Sequence, residues 1–158
     1  MLNPDYKDML QCLKEQGVEF LVVGAYAIAA HGYPRSTSDF DIWVNPTKEN
    51  SVNVYRSLIE FGAPLQGISS NDFSEKGIIF QIGVNPCRID IITTISGDIS
   101  FTDALQHAKY IELDDVIMPV ISLDDLIKNK IAAGRTKDKQ DAKLLKRMLK
   151  LKGKSFKP

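Results

Sequence analysis

Apolar residues along the chain recur with two spacings, one typical of strands and one typical of helices. Strand-like runs are short, rich in Val, Ile and Phe, and bounded by Gly, Pro, Asn or Asp. They cover Glu19–Val23, "DFDIWV" at 39–44, "GIIFQIGV" at 77–84, "CRIDIITTI" at 87–95, and two shorter runs near 109–113 and 116–121.

Helix signals separate these runs. Asn3 followed by Pro4 marks a helix start, and Ser122 followed by Asp125 resembles a capping box. Helices are predicted from Asn3 to Gly17, over 24–30, from Thr47 to near Gly62, over 101–108, from Ser122 to Gly134, and over 137–150. The pattern predicts one α/β (α+β) domain over residues 1–150, with a mixed central sheet flanked by helices, and a flexible basic tail over 151–158.

Length and composition are those of one globular domain. The chain has 158 residues, of which 44% are apolar and 25% charged. It has no leader-like start and no apolar run of the roughly 20 residues that a membrane helix needs, so we expect a cytoplasmic protein without membrane contact. Cys12 and Cys87 form no CxxC pair, and we expect both to be small buried apolar groups.

Charge is unevenly distributed, although the formal net charge is zero. Residues 1–127 hold 8 Lys/Arg and 18 Asp/Glu, whereas residues 128–158 hold 12 Lys/Arg and 2 Asp/Glu. A basic segment of this kind accompanies a polyanionic ligand or partner in some proteins and is only a solvated helix face in others. Both interpretations stay open.

Two aspartates stand one residue apart inside an apolar strand. Side chains two apart on a strand point to the same face, so Asp39 and Asp41 project together, while Phe40, Ile42 and Val44 face the other side. Buried carboxylates are unfavourable unless they are paired, hydrogen-bonded or bound to a metal. The pair can hold a divalent cation.

A third carboxylate belongs to "RIDII", where Arg88 and Asp90 share a face. If the two strands pair, Asp90 joins Asp39 and Asp41 in one site, which we expect at the edge of the sheet. Three carboxylates suit Mg²⁺ or Mn²⁺ rather than zinc. The alternative is structural: Asp39 caps a turn, and Asp90 pairs with Arg88 on the surface.

A glycine turn lies close to these strands in the sequence. Val23-Gly24-Ala25 joins a strand to a helix, and free N–H groups at a helix start attract phosphate. Small residues there let a phosphate approach the backbone. The turn is common by itself, and it becomes informative beside a metal site.

Together these motifs resemble the polymerase-beta-like nucleotidyltransferase superfamily. Its pattern is an apolar strand, a Gly-Gly or Gly-Ser turn that opens a helix, an Asp-apolar-Asp strand and a later acidic residue. Gly24-Ala25 stands at the turn, Asp39-Phe40-Asp41 at the pair, and Asp90 at the third position. The "AAHGYPRSTSDFDIWV" context and "VISLDDLIKNKIAAGRTKDKQDAKLL" resemble small bacterial members related to abortive-infection and toxin–antitoxin proteins. Ala25 departs from the pattern, because its side chain has no hydroxyl to offer a phosphate.

The resemblance implies a fold and a reaction. The fold is the polymerase-beta-like nucleotidyltransferase fold. The reaction is attack of an acceptor hydroxyl on the α-phosphate of a nucleoside triphosphate such as ATP, with release of pyrophosphate. Asp39 and Asp41 would bridge two metal ions, and Asp90 would hold the ion that activates the acceptor and take its proton. The acceptor is left open as an RNA end, a protein side chain or a small molecule.

Several residues are candidates for binding the nucleotide. Cations stabilise a triphosphate by charge, so the leading candidates are cationic. Gly24, Ala25, Arg35, Thr37, Lys130, Arg135 and Asp138 form the predicted phosphate-binding set.

The aromatic residues and the histidines are not assigned to the nucleotide site. Tyr26, Tyr33 and Trp43 could stack a base, but packing is favoured for each. His31 is expected to be a local hydrogen-bonding residue, and no role is assigned to His107.

Two other functions stay open. One is a catalytically weak, antitoxin-like protein whose basic C-terminal helix docks a cognate protein partner. The other is an RNA-binding module whose positive segment holds the polyanion.

Overall fold

The computed structural model describes residues 2–33 and 35–157. Within these residues six strands form one mixed sheet in the order β3-β4-β2-β1-β6-β5. The strands are β1 (Phe20–Val23), β2 (Asp39–Val44), β3 (Ile79–Ile82), β4 (Arg88–Ile92), β5 (Lys109–Leu113) and β6 (Val116–Val120). The predicted mixed sheet is confirmed.

Six α-helices surround the sheet in the described residues, with a 3-10 turn at Asp72–Ser74. The helices are α1 (Pro4–Glu15), α2 (Gly24–Ala30), α3 (Lys48–Phe61), α4 (Phe101–His107), α5 (Leu123–Ala133) and α6 (Thr136–Leu151). The predicted caps are present: the side chains of Asn3, Thr47 and Ser122 each accept a hydrogen bond from a backbone N–H in the first turn.

Strand directions bring distant chain segments to one end of the sheet. Strand β2 runs antiparallel to β1 and parallel to β4, and β6 runs parallel to β1. The ends of β1 and β6 therefore lie beside the beginnings of β2 and β4. Asp41 is paired with Val23 on one side and with Asp90 on the other.

The two faces of β2 carry different side chains, as the alternation predicts. Phe40, Ile42 and Val44 are fully buried. The ring of Phe40 stacks on Tyr6 at 4.7 Å between centroids and meets the edge of Tyr26 at 4.8 Å. This apolar face anchors α1 and α2 to the sheet.

Trp43 is on the aspartate face but belongs to the core. It is buried, its ring meets Phe101 edge-on at 5.1 Å, and its Nε1–H donates to the Thr93 carbonyl at 3.2 Å. Packing is therefore confirmed for Trp43, as the sequence favoured.

The cysteines differ from each other. Both are free thiols, but Cys12 is buried and Cys87 is exposed. The expectation of a buried Cys87 is wrong, because this residue lies in the turn between β3 and β4 and not in the ladder.

None of the helices in residues 2–33 and 35–157 combines the length and apolar character that a membrane span requires.

Candidate active site

Three carboxylates meet where β2 and β4 begin. One oxygen from each of Asp39, Asp41 and Asp90 lies within 4.8 Å of the other two. The parallel ladder causes this, because it sets Asp41 directly beside Asp90. The predicted convergence is confirmed. The site was expected at the edge of the sheet, and this position is wrong if the edge is a lateral one. Both β2 and β4 are inner strands, and the site lies at an end of the sheet.

Asp41 has the most perturbed environment of the three. Its Oδ1 is buried and has no hydrogen-bond partner among the described residues. Burial, followed by the charges of Asp39 and Asp90, raises the pKa of Asp41 to about 7. A buried acceptor without a donor is unfavourable, and a cation shared by the three carboxylates would remove that penalty.

Gly24 makes room for Asp41. It is the first residue of α2 and has φ +71°, and a Cβ built on it would lie 2.4 Å from Asp41 Oδ2. The strand-to-helix turn and the carboxylate are therefore in direct contact. The donor set, the orphaned oxygen and this close approach all fit a hard divalent ion.

Arg88 lies between two of the carboxylates. Its Nε donates to Asp90 Oδ1 at 2.8 Å, and its Nη2 donates to Asp90 Oδ2 and Asp39 Oδ2, both at 3.1 Å. The structural alternative from the sequence is thus correct in naming this ion pair, although Asp90 is buried and not on the surface. Sequence reasoning missed the contact with Asp39, which depends on how the two strands pair.

Thr37 supports Asp39 from the preceding loop. Its hydroxyl lies 3.1 Å from Asp39 Oδ1 and 3.0 Å from the Asp39 carbonyl. Whether Thr37 also contacts phosphate stays a prediction.

The predicted cations form a network at the junction of α5 and α6. Lys130 is buried, with its Nζ 3.6 Å from Asp138 Oδ1 and 3.3 Å from Asp141 Oδ2. Arg35 pairs with Asp141, and Arg135 Nε donates to Asp138 Oδ2 at 2.7 Å. The pKa of Asp138 is lowered, mainly by Arg135 and also by Lys130.

This network borders the carboxylates. Lys130 is close enough to Asp41 to offset part of the rise in its pKa. Three cations and two carboxylates leave the network one positive charge in excess. It can therefore attract an anion to the acidic centre, although each cation is already paired.

The two histidines pair with groups other than Asp39, Asp41 and Asp90. His31 Nε2 is 2.7 Å from the Ile121 carbonyl, and burial lowers its pKa, which confirms the expected local role. His107, to which the sequence assigned no role, has its Nδ1 3.1 Å from Asp125 Oδ2. No sequence signal links His107 with Asp125, because they belong to different helices, α4 and α5.

A mixed sheet flanked by helices, with three aspartates brought together beside a glycine turn, is the arrangement expected for a nucleotidyltransferase. Comparison with family profiles gives the same class: residues 3–157 match the DUF2204 family, described as "Nucleotidyl transferase of unknown function". The chain belongs to that family.

Solved structures with a similar fold include one from a bacterium. It is the crystal structure of a protein described as a "putative nucleotidyltransferase" from Thermotoga maritima, with a TM-score of 0.63 and 20% identity. The similarity covers 90% of this chain and 93% of that chain. Comparison with curated protein sequences finds no match.

Proposed function

We propose that this protein is a metal-dependent nucleotidyltransferase that moves a nucleoside monophosphate from a nucleoside triphosphate to an acceptor hydroxyl. The observation that carries the proposal is the convergence of Asp39, Asp41 and Asp90 beside Gly24, with one buried Asp41 oxygen unpartnered. Family membership supports the same class.

Asp39, Asp41 and Asp90 would hold Mg²⁺ or Mn²⁺, since all three offer hard carboxylate oxygens. When bound, a pair of such ions stabilises the charge on the entering and leaving oxygens of a phosphoryl displacement.

The residues of the chain have separate tasks in this proposal. Gly24 leaves space for the phosphates at the turn, and the backbone N–H of Ala25 is available there. Asp90 accepts the proton of the acceptor hydroxyl as that oxygen attacks. Thr37 holds the Asp39 carboxylate in place, as its hydrogen bond supports.

The α5–α6 network would balance the charge of the triphosphate. Lys130, Arg35 and Arg135 supply the positive charge, while Asp138 orients Lys130 and Arg135. Preorganised charge of this kind accelerates phosphoryl transfer because it does not have to be rearranged during the reaction.

The proposal also covers the biological setting, the substrate and the partner. The sequence resemblance favours a bacterial protein related to abortive-infection or toxin–antitoxin systems, with ATP as one candidate substrate and a cognate protein as one candidate partner. RNA, protein and small-molecule acceptors all stay open, because Asp39 and Asp41 are only partly buried at one end of the sheet.

The test uses nucleoside triphosphates labelled either at the α- or at the γ-phosphate, with a cell extract as the source of acceptor. Nucleotidyl transfer moves the α label to the acceptor and releases the γ label in pyrophosphate. Asp41→Asn and Asp90→Asn should abolish transfer, whereas Asp8→Asn, on the exposed side of α1, should not. Transfer of the γ label, or transfer that survives both active-site substitutions, would contradict the proposal.

A further inference from the structure

A second cavity lies away from the three carboxylates. Its volume is about 800 Å³, and its walls come from the ends of α2 and α4, the start of β5, the first two turns of α5 and the last turn of α6 with the residues that follow. Asp39, Asp41 and Asp90 are not among the described residues that line it. The proposed reaction leaves this cavity without a role.

The wall of the cavity is strongly basic. Its acidic lining residues, in the described part of the chain, are Asp124 and Asp125. Five lysines from three parts of the chain converge on it: Lys109, Lys128, Lys152, Lys154 and Lys157. Ammonium groups repel one another when they are brought together, and that repulsion is relieved when an anion binds among them.

The lysines after α6 are held in place by the fold. Gly153 has φ +71°, which turns the chain back, and the N–H of Lys154 donates to the Leu149 carbonyl at 2.9 Å. Phe156 is half-buried against the core, with Lys146 Nζ 5.5 Å from its ring centroid. The segment expected to be only a tail therefore directs its charges towards one cavity.

One of the two acidic lining residues is already paired. Asp125 is buried, accepts from His107 Nδ1 at 3.1 Å, and is the residue whose N–H is capped by Ser122. Because Asp125 is only 3% exposed, its carboxylate is less accessible to an incoming anion than the more exposed lysines around it. Tyr110, whose side chain is largely exposed, adds an aromatic ring to the same wall.

We infer that this cavity is a second ligand site, for a compact anion with several closely spaced phosphates and the size of a nucleotide. Its volume lies in the range of small-molecule sites, about 300–1,000 Å³. Lysine is suited to phosphate as a compact point charge, and a concave site with five of them favours a short polyphosphate over a single carboxylate. The phosphates can belong to a free nucleoside polyphosphate or to the triphosphate end of a nucleic acid.

The probe is inorganic tripolyphosphate, titrated calorimetrically into the full chain in the presence of a chelator, so that no metal–tripolyphosphate complex forms at the three carboxylates. Lys128→Gln combined with Lys154→Gln should weaken binding at least about fivefold, because each removes a charged contact. The control pair Lys139→Gln and Lys150→Gln removes the same charge from exposed positions of α6 outside the cavity and should change binding less than about twofold. Asp41→Asn should bind the probe as the wild type does.

Phe156→Ala separates geometry from charge. It alters no charge but removes the contact that holds the last lysines over the cavity, so it should also weaken binding severalfold. Equal losses in the cavity and control pairs, with none in Phe156→Ala, would show diffuse attraction and overturn the inference. The absence of saturable binding would overturn it too.

Oligonucleotides with a 5′-triphosphate or a 5′-hydroxyl identify the source of the phosphates. Binding that requires the 5′-triphosphate and the cavity lysines supports the site with a nucleic-acid end as ligand. Equal binding of both oligonucleotides, without binding of tripolyphosphate, would show a backbone surface and contradict a compact site.

Discussion

The carboxylate of Asp41 rests against the backbone of Gly24. A Cβ at residue 24 would lie 2.4 Å from Oδ2 and 3.1 Å from Cγ of Asp41, and the φ of +71° is itself unfavourable for other residues. The end of β1 and the beginning of β2 thus fit together only with glycine at this position. The turn proposed to receive phosphate and the carboxylate proposed to bind metal are structurally dependent on each other.

Gly24→Ala should therefore damage the metal site as well as the fold. We expect a loss of about 1–3 kcal/mol in unfolding free energy from backbone strain, together with loss of most of the rise in melting temperature that Mn²⁺ produces. Thermal unfolding with and without Mn²⁺ measures both effects. Gly62→Ala is the matched control, because Gly62 has φ +90° but open space around its Cβ position. If both variants keep the same response to Mn²⁺, the contact with Asp41 does not matter for binding.

The raised pKa of Asp41 makes stability depend on pH in a defined direction. Its pKa is about 7 in the folded protein and 3.8 for an ordinary aspartate. The native state therefore holds a proton that the unfolded chain has lost, so without metal the free energy of unfolding falls as pH rises between these values. Denaturant unfolding in chelator, at about pH 5 and about pH 8, should show this fall in the wild type and a smaller one in Asp41→Asn. A fall of the same size in Asp41→Asn would assign it to other groups.

Arg88 should oppose metal binding while it stabilises the metal-free protein. Arg88→Gln removes the cation between Asp39 and Asp90, so the three carboxylates repel one another more strongly. We expect a lower free energy of unfolding without metal, and Mn²⁺ binding that is at least about threefold tighter. Calorimetric titration of Mn²⁺ measures the second effect, with Arg56→Gln on the exposed part of α3 as the control. Weaker Mn²⁺ binding in Arg88→Gln would show that Arg88 is needed to position its two carboxylates.

Lys130 should matter both to the fold and to the nucleotide. Lys130→Ala removes the cation shared by two buried carboxylates, Asp138 and Asp141, which keep Arg135 and Arg35 as partners. We therefore expect a loss of stability below the about 3–5 kcal/mol that an unpaired buried charge costs. In the folded fraction we expect triphosphate binding to weaken at least about tenfold, whereas Lys150→Ala should change it less than about twofold. Nucleotide titration followed by calorimetry below the unfolding transition measures the affinity. Equal affinity losses in the two variants would indicate diffuse charge.

Local patterns predicted the parts of the structure that depend on neighbours in sequence. The caps at Asn3, Thr47 and Ser122 and the shared face of Asp39 and Asp41 follow from short-range rules, and all are present. Asp90 is a candidate from its place on the "RIDII" strand, on condition that the two strands pair, and the resemblance gives it the same place.

Features that depend on distant segments could not be read in this way. The contact of Arg88 with Asp39 needs the parallel pairing of β2 and β4. Pairing of Lys130 with Asp138 and Asp141 needs the packing of α5 on α6. The exposure of Cys87 needs the turn between β3 and β4 to project from the ladder. In each case the residue can be identified in the sequence, but the surroundings that it meets depend on the tertiary fold.

The parallel pairing of β2 with β4 also fixes when the acidic centre can exist. Asp41 and Asp90 are 49 positions apart, and joining them closes a long loop, which is slow and entropically unfavourable in a folding chain. Before that step only Asp39 and Asp41 are near each other, so an unfolded or partly folded chain offers a divalent ion two flexible ligands rather than three fixed ones. The ion would therefore bind after the sheet has assembled. Nearly all of its binding free energy would then stabilise the native state, by linking the two inner strands β2 and β4.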